Sequence, residues 1–293
     1  MFPNLSGMIA ELERTGGNPF MPLLWLRITV LLYAVGLLYG LAAVSRPCTW
    51  LAKYVVPLVG VGMVFHFVSL AETAMISGHL SLTAMSVHDS ESLLAFLIMA
   101  VFMIVYARYH TTSPGIFLFP LAFLVTFSAA VAQQPVAFST PLMRSGWLFV
   151  HIAMIFTGYA ALFLSFAASI LYLVHEKALK SKQPTSITSK LPALSVIDDI
   201  GYKSLLLGFP FMTFGLIAGS VIAQARFGPT WFFDPKVVLS LLMWAVYMVL
   251  LYTRWNNGWR GRKAAYLATV AFLVALGAWA ANYFSALHRF PAS

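Results

Sequence analysis

The feature that most constrains this chain is a succession of nearly uncharged apolar runs, each long enough to carry a helix across a membrane. An α-helix rises about 1.5 Å per residue, so a hydrocarbon core about 30 Å thick needs roughly 20 apolar residues. Such runs, bounded by Pro, Gly and charge, fall at 22–44, 54–76, 92–108, 115–133, 146–174, 203–225, 236–252 and 264–284. They lack the polar–apolar alternation of an outer-membrane strand, and backbone groups in lipid must be satisfied within their own segment. An all-α integral membrane protein with about eight transmembrane helices is therefore expected. Composition agrees: 60% of the residues are hydrophobic, 9% are charged and the mean hydropathy is +0.84, more apolar surface than a soluble core can hide. The expected organisation is one membrane domain, 1–293, comprising a bundle over 22–284 and a polar cytoplasmic linker over 175–202. That linker contains Pro184 and Pro192 and is long enough for one short surface helix.

The distribution of the 18 Lys and Arg residues orients the bundle. With the N-terminus outside, twelve of them fall inside: Arg46, Lys53, Arg108, Lys177, Lys180, Lys182, Lys190, Lys203, Arg254, Arg260, Arg262 and Lys263. Arg14, Arg27, Arg144, Arg226, Lys236 and Arg289 fall outside. Both termini are thus expected on the outer side of a bacterial inner membrane. The net charge of +9 is read as a topology signal, with no nucleic-acid partner. The first 20 residues lack the basic and apolar regions of a cleaved signal peptide, so the first span is expected to be retained. Cys48 is the single cysteine, which excludes an internal disulfide and a C-x-x-C-H haem attachment site.

Function must reside in the few polar groups kept by the membrane and its outer face. Imidazole is both an iron ligand and a proton carrier, which directs attention to the seven histidines. His66 lies within the second span, where an ionisable group is costly and marks either a site or an interhelical hydrogen bond. His151 lies near the outer end of the fifth span and His288 follows the eighth on the same face. His79 and His88 occupy an outer loop, and His110 and His175 are expected on solvated inner loops. Between His151 and His288 comes the loop Phe227-Gly228-Pro229-Thr230-Trp231-Phe232-Phe233-Asp234-Pro235-Lys236. Its aromatic residues read either as flat apolar walls for a ligand or as an interfacial belt, and Asp234 as a cap for the next helix.

Order and spacing favour the first reading. TWFFDPKVVLSLLMW resembles the tryptophan-rich "WWD" signature, W-x-W-D-P-K-E, of the cytochrome c assembly family that includes CcsA, CcmC and CcmF. Four further segments match in the same order along the chain: FHFVSLAETAMISGH, SGWLFVHIAMIFTGYAALFLSFAASILYL, GWRGRKAAYLA and ALHRF. The resemblance implies a b-type, non-covalent haem presented at an outer site with His151 and His288 as iron ligands. It carries the signature onto Trp231, Asp234, Pro235 and Lys236, with Phe232 and Phe233 beside Trp231 as aromatic walls for the macrocycle, and implies His66 as the histidine of a transmembrane site. Arg144, Arg226, Lys236 and Arg289, on the same face, are candidates to pair with the propionates.

The chain also departs from the pattern. Phe233 stands for the second tryptophan, Val237 for the glutamate, and Leu251-Tyr252-Thr253-Arg254 for L-H-T-R, which counts against a bis-histidine transmembrane haem. These features resemble the HemX/YpjD-like branch. No nucleophile–base pair or phosphate loop is evident, so a haem carrier is expected rather than a stand-alone enzyme. The resemblance implies a membrane partner with a large outer domain (CcsB/ResB-like) or other complex subunits, and apocytochrome c as acceptor. The competing readings are a structural or regulatory subunit that keeps the fold without haem transfer, and a transporter using His66 and Glu72.

Overall fold

The computed structural model describes residues 21–45, 49–76, 87–131, 146–183, 188 and 191–281. Among these the chain forms eight α-helices and no strand. They are α1 (Met21–Ser45), α2 (Thr49–Ile76), α3 (Val87–Tyr109), α4 (Gly115–Val131), α5 (Gly146–Ser181), α6 (Leu194–Phe227), α7 (Pro235–Asn256) and α8 (Arg262–Ala280). A 3-10 segment, Gly228–Phe233, joins α6 to α7. Seven of the helices are long and apolar enough to cross a membrane, and α4 is a shorter apolar helix. Each corresponds to one of the eight runs read from the sequence.

The helices close two rings of four. In the first, α1 packs on α2 and α4, and α3 packs on α2 and α4; in the second, α5, α6, α7 and α8 each pack on the next, with α8 returning to α5. Contact between α3 and α5 joins the rings. One buried cluster runs through that joint, from Tyr33, Val59, Phe102 and Phe119 to Leu164 and Leu171 of α5 and Ile197 of α6. A second fills the α5–α8 ring around Met212, Met243, Tyr247 and Ala271.

Lipid tails are as apolar as leucine, so helices associate in a membrane chiefly where small residues let backbones approach. The antiparallel α5–α6 seam is built this way. A Cβ on Gly158 would lie 2.9 Å from Met212 Cε, and one on Gly208 would lie 2.8 Å from Ala161 Cβ. In the first ring, a Cβ on Gly40 of α1 would lie 3.0 Å from Cγ of Pro120, so the glycine makes room for the proline inside α4.

The helices depart from the sequence reading most at the 175–202 linker. α5 is 36 residues and α6 is 34 residues long, about 54 and 51 Å, well beyond a hydrocarbon core about 30 Å thick. The surplus lies at the Ser181 and Leu194 ends, where charge rather than apolarity supports the helices: Lys180 Nζ reaches Glu176 Oε1 at 2.7 Å and Lys203 Nζ reaches Asp199 Oδ2 at 2.8 Å, both at i,i+4. Most of the polar stretch expected as linker is therefore helix.

Candidate functional site

His151 lies five residues into α5 and faces α6. Its Nδ1 is 2.7 Å from the backbone oxygen of Gly215. A carbonyl only accepts, so Nδ1 carries the proton and Nε2 keeps its lone pair. A histidine whose second nitrogen ligates a metal is commonly oriented by this arrangement.

The same end of the second ring carries the signature loop. Gly228 stops α6 with φ of 63°, a conformation that favours glycine, and its N–H returns to Gln224 O. Pro229 then opens the 3-10 segment. Asp234 is 7% exposed and caps α7, its Oδ1 accepting from Lys236 N at 3.0 Å, with Pro235 at the first helical position. Trp231 is pinned by Nε1 donating to Gln224 Oε1 at 2.7 Å. Phe232 is 50% exposed and Phe233 83% exposed. The three rings step edge to face, at interplanar angles of 75° and 89°, and so present successive edges rather than one flat wall. Lys236 lies within electrostatic reach of both His151 and Asp234.

Several expected site residues fall elsewhere. His288, Arg144 and Arg289 lie outside the described residues, as does His79, and only the backbone of Arg226 is described, in the last turn of α6. His88 sits 3.5 Å from Glu91, whose Oε2 also accepts from Ser128 Oγ at 3.1 Å. Among the described residues no group of three or more His, Cys, Asp or Glu side chains is placed to hold a metal ion.

His66 is fully buried, and both of its ring nitrogens are engaged. Nε2 is 2.9 Å from Ser92 Oγ and Nδ1 is 3.3 Å from Tyr33 Oη, so the imidazole ties α2 to α3 and α1. The rings of Tyr33 and Phe96 pack edge-on against it, each with centroids 5.7 Å away. This is the geometry of an interhelical hydrogen bond. Tyr252, at the position of the family's further histidine, is 59% exposed and accepts from Asn256 Nδ2 at 3.0 Å. His151 thus keeps Nε2 for a ligand, whereas both nitrogens of His66 are engaged by neighbouring hydroxyls.

His110 is exposed, as expected for a loop residue, but His175 is not solvated. Because α5 continues to Ser181, His175 is carried on a helix, is 8% exposed and has Nδ1 without a partner.

Sequence reasoning missed a second polar centre at the other end of the second ring. Arg254 of α7 grips Asp198 of α6 through Nη2 to Oδ2 at 2.6 Å and Nη1 to Oδ1 at 3.0 Å, and Nη2 also donates to the Asp198 carbonyl at 3.1 Å. Gly261 N donates to Asp198 Oδ1 at 3.0 Å, and the guanidinium lies 4.5 Å from the centroid of Tyr202. The clamp therefore unites α6, α7 and the turn into α8. Its one trace in the sequence is the Asp198-Asp199 doublet, two of only nine acidic residues, just ahead of an apolar run.

Fold and site together define a polytopic α-helical membrane protein with a tautomer-fixed imidazole at the same end of the helix ring as an aromatic, proline-bounded loop. The profile of the family described as "Cytochrome C assembly protein" matches residues 29–285, and the chain belongs to that family. Among its relatives, the cytochrome c biogenesis protein CcsA of Chlamydomonas reinhardtii is 36% identical over 152 residues, covering 51% of this chain and 41% of that protein. The CcsA of Guillardia theta is 31% identical over 205 residues, 63% of this chain and 68% of the relative. That of Pyropia yezoensis is 26% identical over 289 residues, 85% and 88% of the two chains. The match to the Chlamydomonas protein spans less than half of that relative's length.

Proposed function

We propose that this protein handles haem as cargo in cytochrome c biogenesis, holding it non-covalently at the outer face of a bacterial inner membrane for transfer to apocytochrome c. His151 and His288 are the axial ligands in this reading. Trp231, Phe232 and Phe233 flank the macrocycle, and Arg144, Arg226, Lys236 and Arg289 pair with its propionates. Both termini face outward, 1–293 is a single membrane domain, and a membrane partner with a large outer domain completes the assembly. The observation that carries the reading is the bond from His151 Nδ1 to Gly215 O, which leaves Nε2 as a ligand beside the signature loop. What this chain's residues do is orient an imidazole, supply aromatic edges and place cations; the bound haem supplies the iron and its vinyl groups.

A second reading, a structural or regulatory subunit that has kept the fold, is supported by His66 having no nitrogen to spare and by the outward-facing Tyr252. The two separate in the visible spectrum of protein purified in mild detergent and supplied with haem, oxidised and then reduced. A low-spin spectrum lost in His151→Ala with His288→Ala, and retained in His110→Ala, is the expected result. Folded wild-type protein that stays colourless refutes the carrier reading and favours the second.

A further inference from the structure

We propose that Gly219 is a positioning residue for His151, holding the imidazole in the tautomer that presents Nε2; the role assigned to that nitrogen rests on the haem-carrier reading. Gly215 and Gly219 stand one turn apart on α6, facing the start of α5. Gly215 accepts the Nδ1 proton through its carbonyl at 2.7 Å. A Cβ on Gly219 would lie 2.5 Å from Cε1, 2.7 Å from Nδ1 and 3.4 Å from Nε2 of His151. The Nδ1–Cε1 edge of the ring thus occupies the volume that any side chain at 219 would claim. Real Cβ contacts essentially never fall below 3.0 Å, so one methyl group there forces the ring away from the Gly215 carbonyl.

The neighbouring contacts show why the ring itself must move. His151 is not a flexible chain end: its imidazole turns on two torsions, and the hydrogen bond to Gly215 fixes both. Elsewhere on the same seam, a Cβ on Gly201 would meet nothing nearer than Ala168 Cβ at 3.5 Å, an ordinary van der Waals contact. An alanine at 201 is therefore accommodated where it stands, whereas one at 219 displaces the candidate ligand. Groups that orient a metal-bound histidine are typically worth about 10- to 100-fold in metal affinity.

The test combines a haem-free measurement with a haem titration. In protein labelled with 15N-histidine and free of haem, the His151 signals, assigned by their loss in His151→Gln, should report Nδ1 protonated and Nε2 bare. Gly219→Ala should abolish that pattern and weaken haem binding about 10- to 100-fold, while Gly201→Ala leaves both unchanged. A wild-type His151 protonated on Nε2 overturns the proposal whatever the variants do. So does a Gly219→Ala protein that keeps the wild-type tautomer, or an equal response in Gly201→Ala. Wild-type protein showing the expected tautomer but binding no haem refutes the carrier reading and leaves the positioning of His151 by Gly219 standing.

Discussion

Replacing Arg254 with methionine isolates the clamp that joins α6, α7 and the turn into α8. The Arg254 side chain is 8% exposed and that of Asp198 16%, so the substitution strands a carboxylate that has lost two charge-assisted contacts and keeps the Gly261 N–H, and it also removes the donor to the Asp198 carbonyl. Removing one partner of a buried ion pair costs about 3–5 kcal/mol. The residual exposure of Asp198 admits some water, which places the expectation at about 3 kcal/mol, the lower end of that range. Asp198→Asn should cost a similar amount, because it leaves the guanidinium facing an amide that both donates and accepts. The double variant has no uncompensated charge to bury, so it should fall short of the sum of the singles by about 2 kcal/mol, within the coupling expected for residues in direct contact. The assay is reversible unfolding in mixed detergent and dodecyl sulfate micelles, followed by circular dichroism for wild type, both singles and the double. Singles that each cost less than about 0.5 kcal/mol and simply add would show an exposed, weakly contributing pair, and the assignment of the clamp as a structural centre would be wrong.

Three further predictions concern the membrane interior. Tyr247 is fully buried with its hydroxyl unpartnered against Gly208, so Tyr247→Phe should be neutral or stabilising by about 1 kcal/mol. Gly208→Ala, which drives a methyl into Tyr247 Oη and Ala161, should cost about 1–3 kcal/mol, and thermal unfolding in detergent ranks the two. Ser92→Ala removes the partner of His66 Nε2 and should cost about 0.6 kcal/mol, at most about 1.7, with no change in the haem spectrum; a spectral change would place His66 back among the ligands.

The eight helices were legible because lipid imposes one requirement on every crossing segment. The run expected at 115–133, for example, is α4, Gly115–Val131. The ends of α5 and α6 were not legible, because hydropathy registers only the part of a helix that lipid touches, and the helices continue on Glu176–Lys180 and Asp199–Lys203 pairs. His175 was misplaced for the same reason. At the candidate site, resemblance to the family's signature singled out His151 and the Trp231–Asp234 segment. It could not reveal the Gly215 carbonyl, since a backbone acceptor 64 residues away leaves no mark in residue type. The Asp198–Arg254 clamp joins residues 56 apart in sequence, and each alone reads as an ordinary interfacial charge. His66 was read as either a ligand or a hydrogen-bonding residue, and residue type could not show that the Tyr33 and Ser92 hydroxyls stand within reach of its two ring nitrogens.

The length of α5 makes it a lever. One helix runs from Gly146 to Ser181, so the turn that bears His151 and the turn that bears Lys180 belong to a single rod about 54 Å long. Pivoting such a rod by about 5° at its midpoint would sweep each tip through about 2 Å, several times the roughly 0.5 Å that a ligating geometry tolerates. The glycine-lined seam against α6, where Gly158 and Gly208 let the two helices approach, is what resists such a swing.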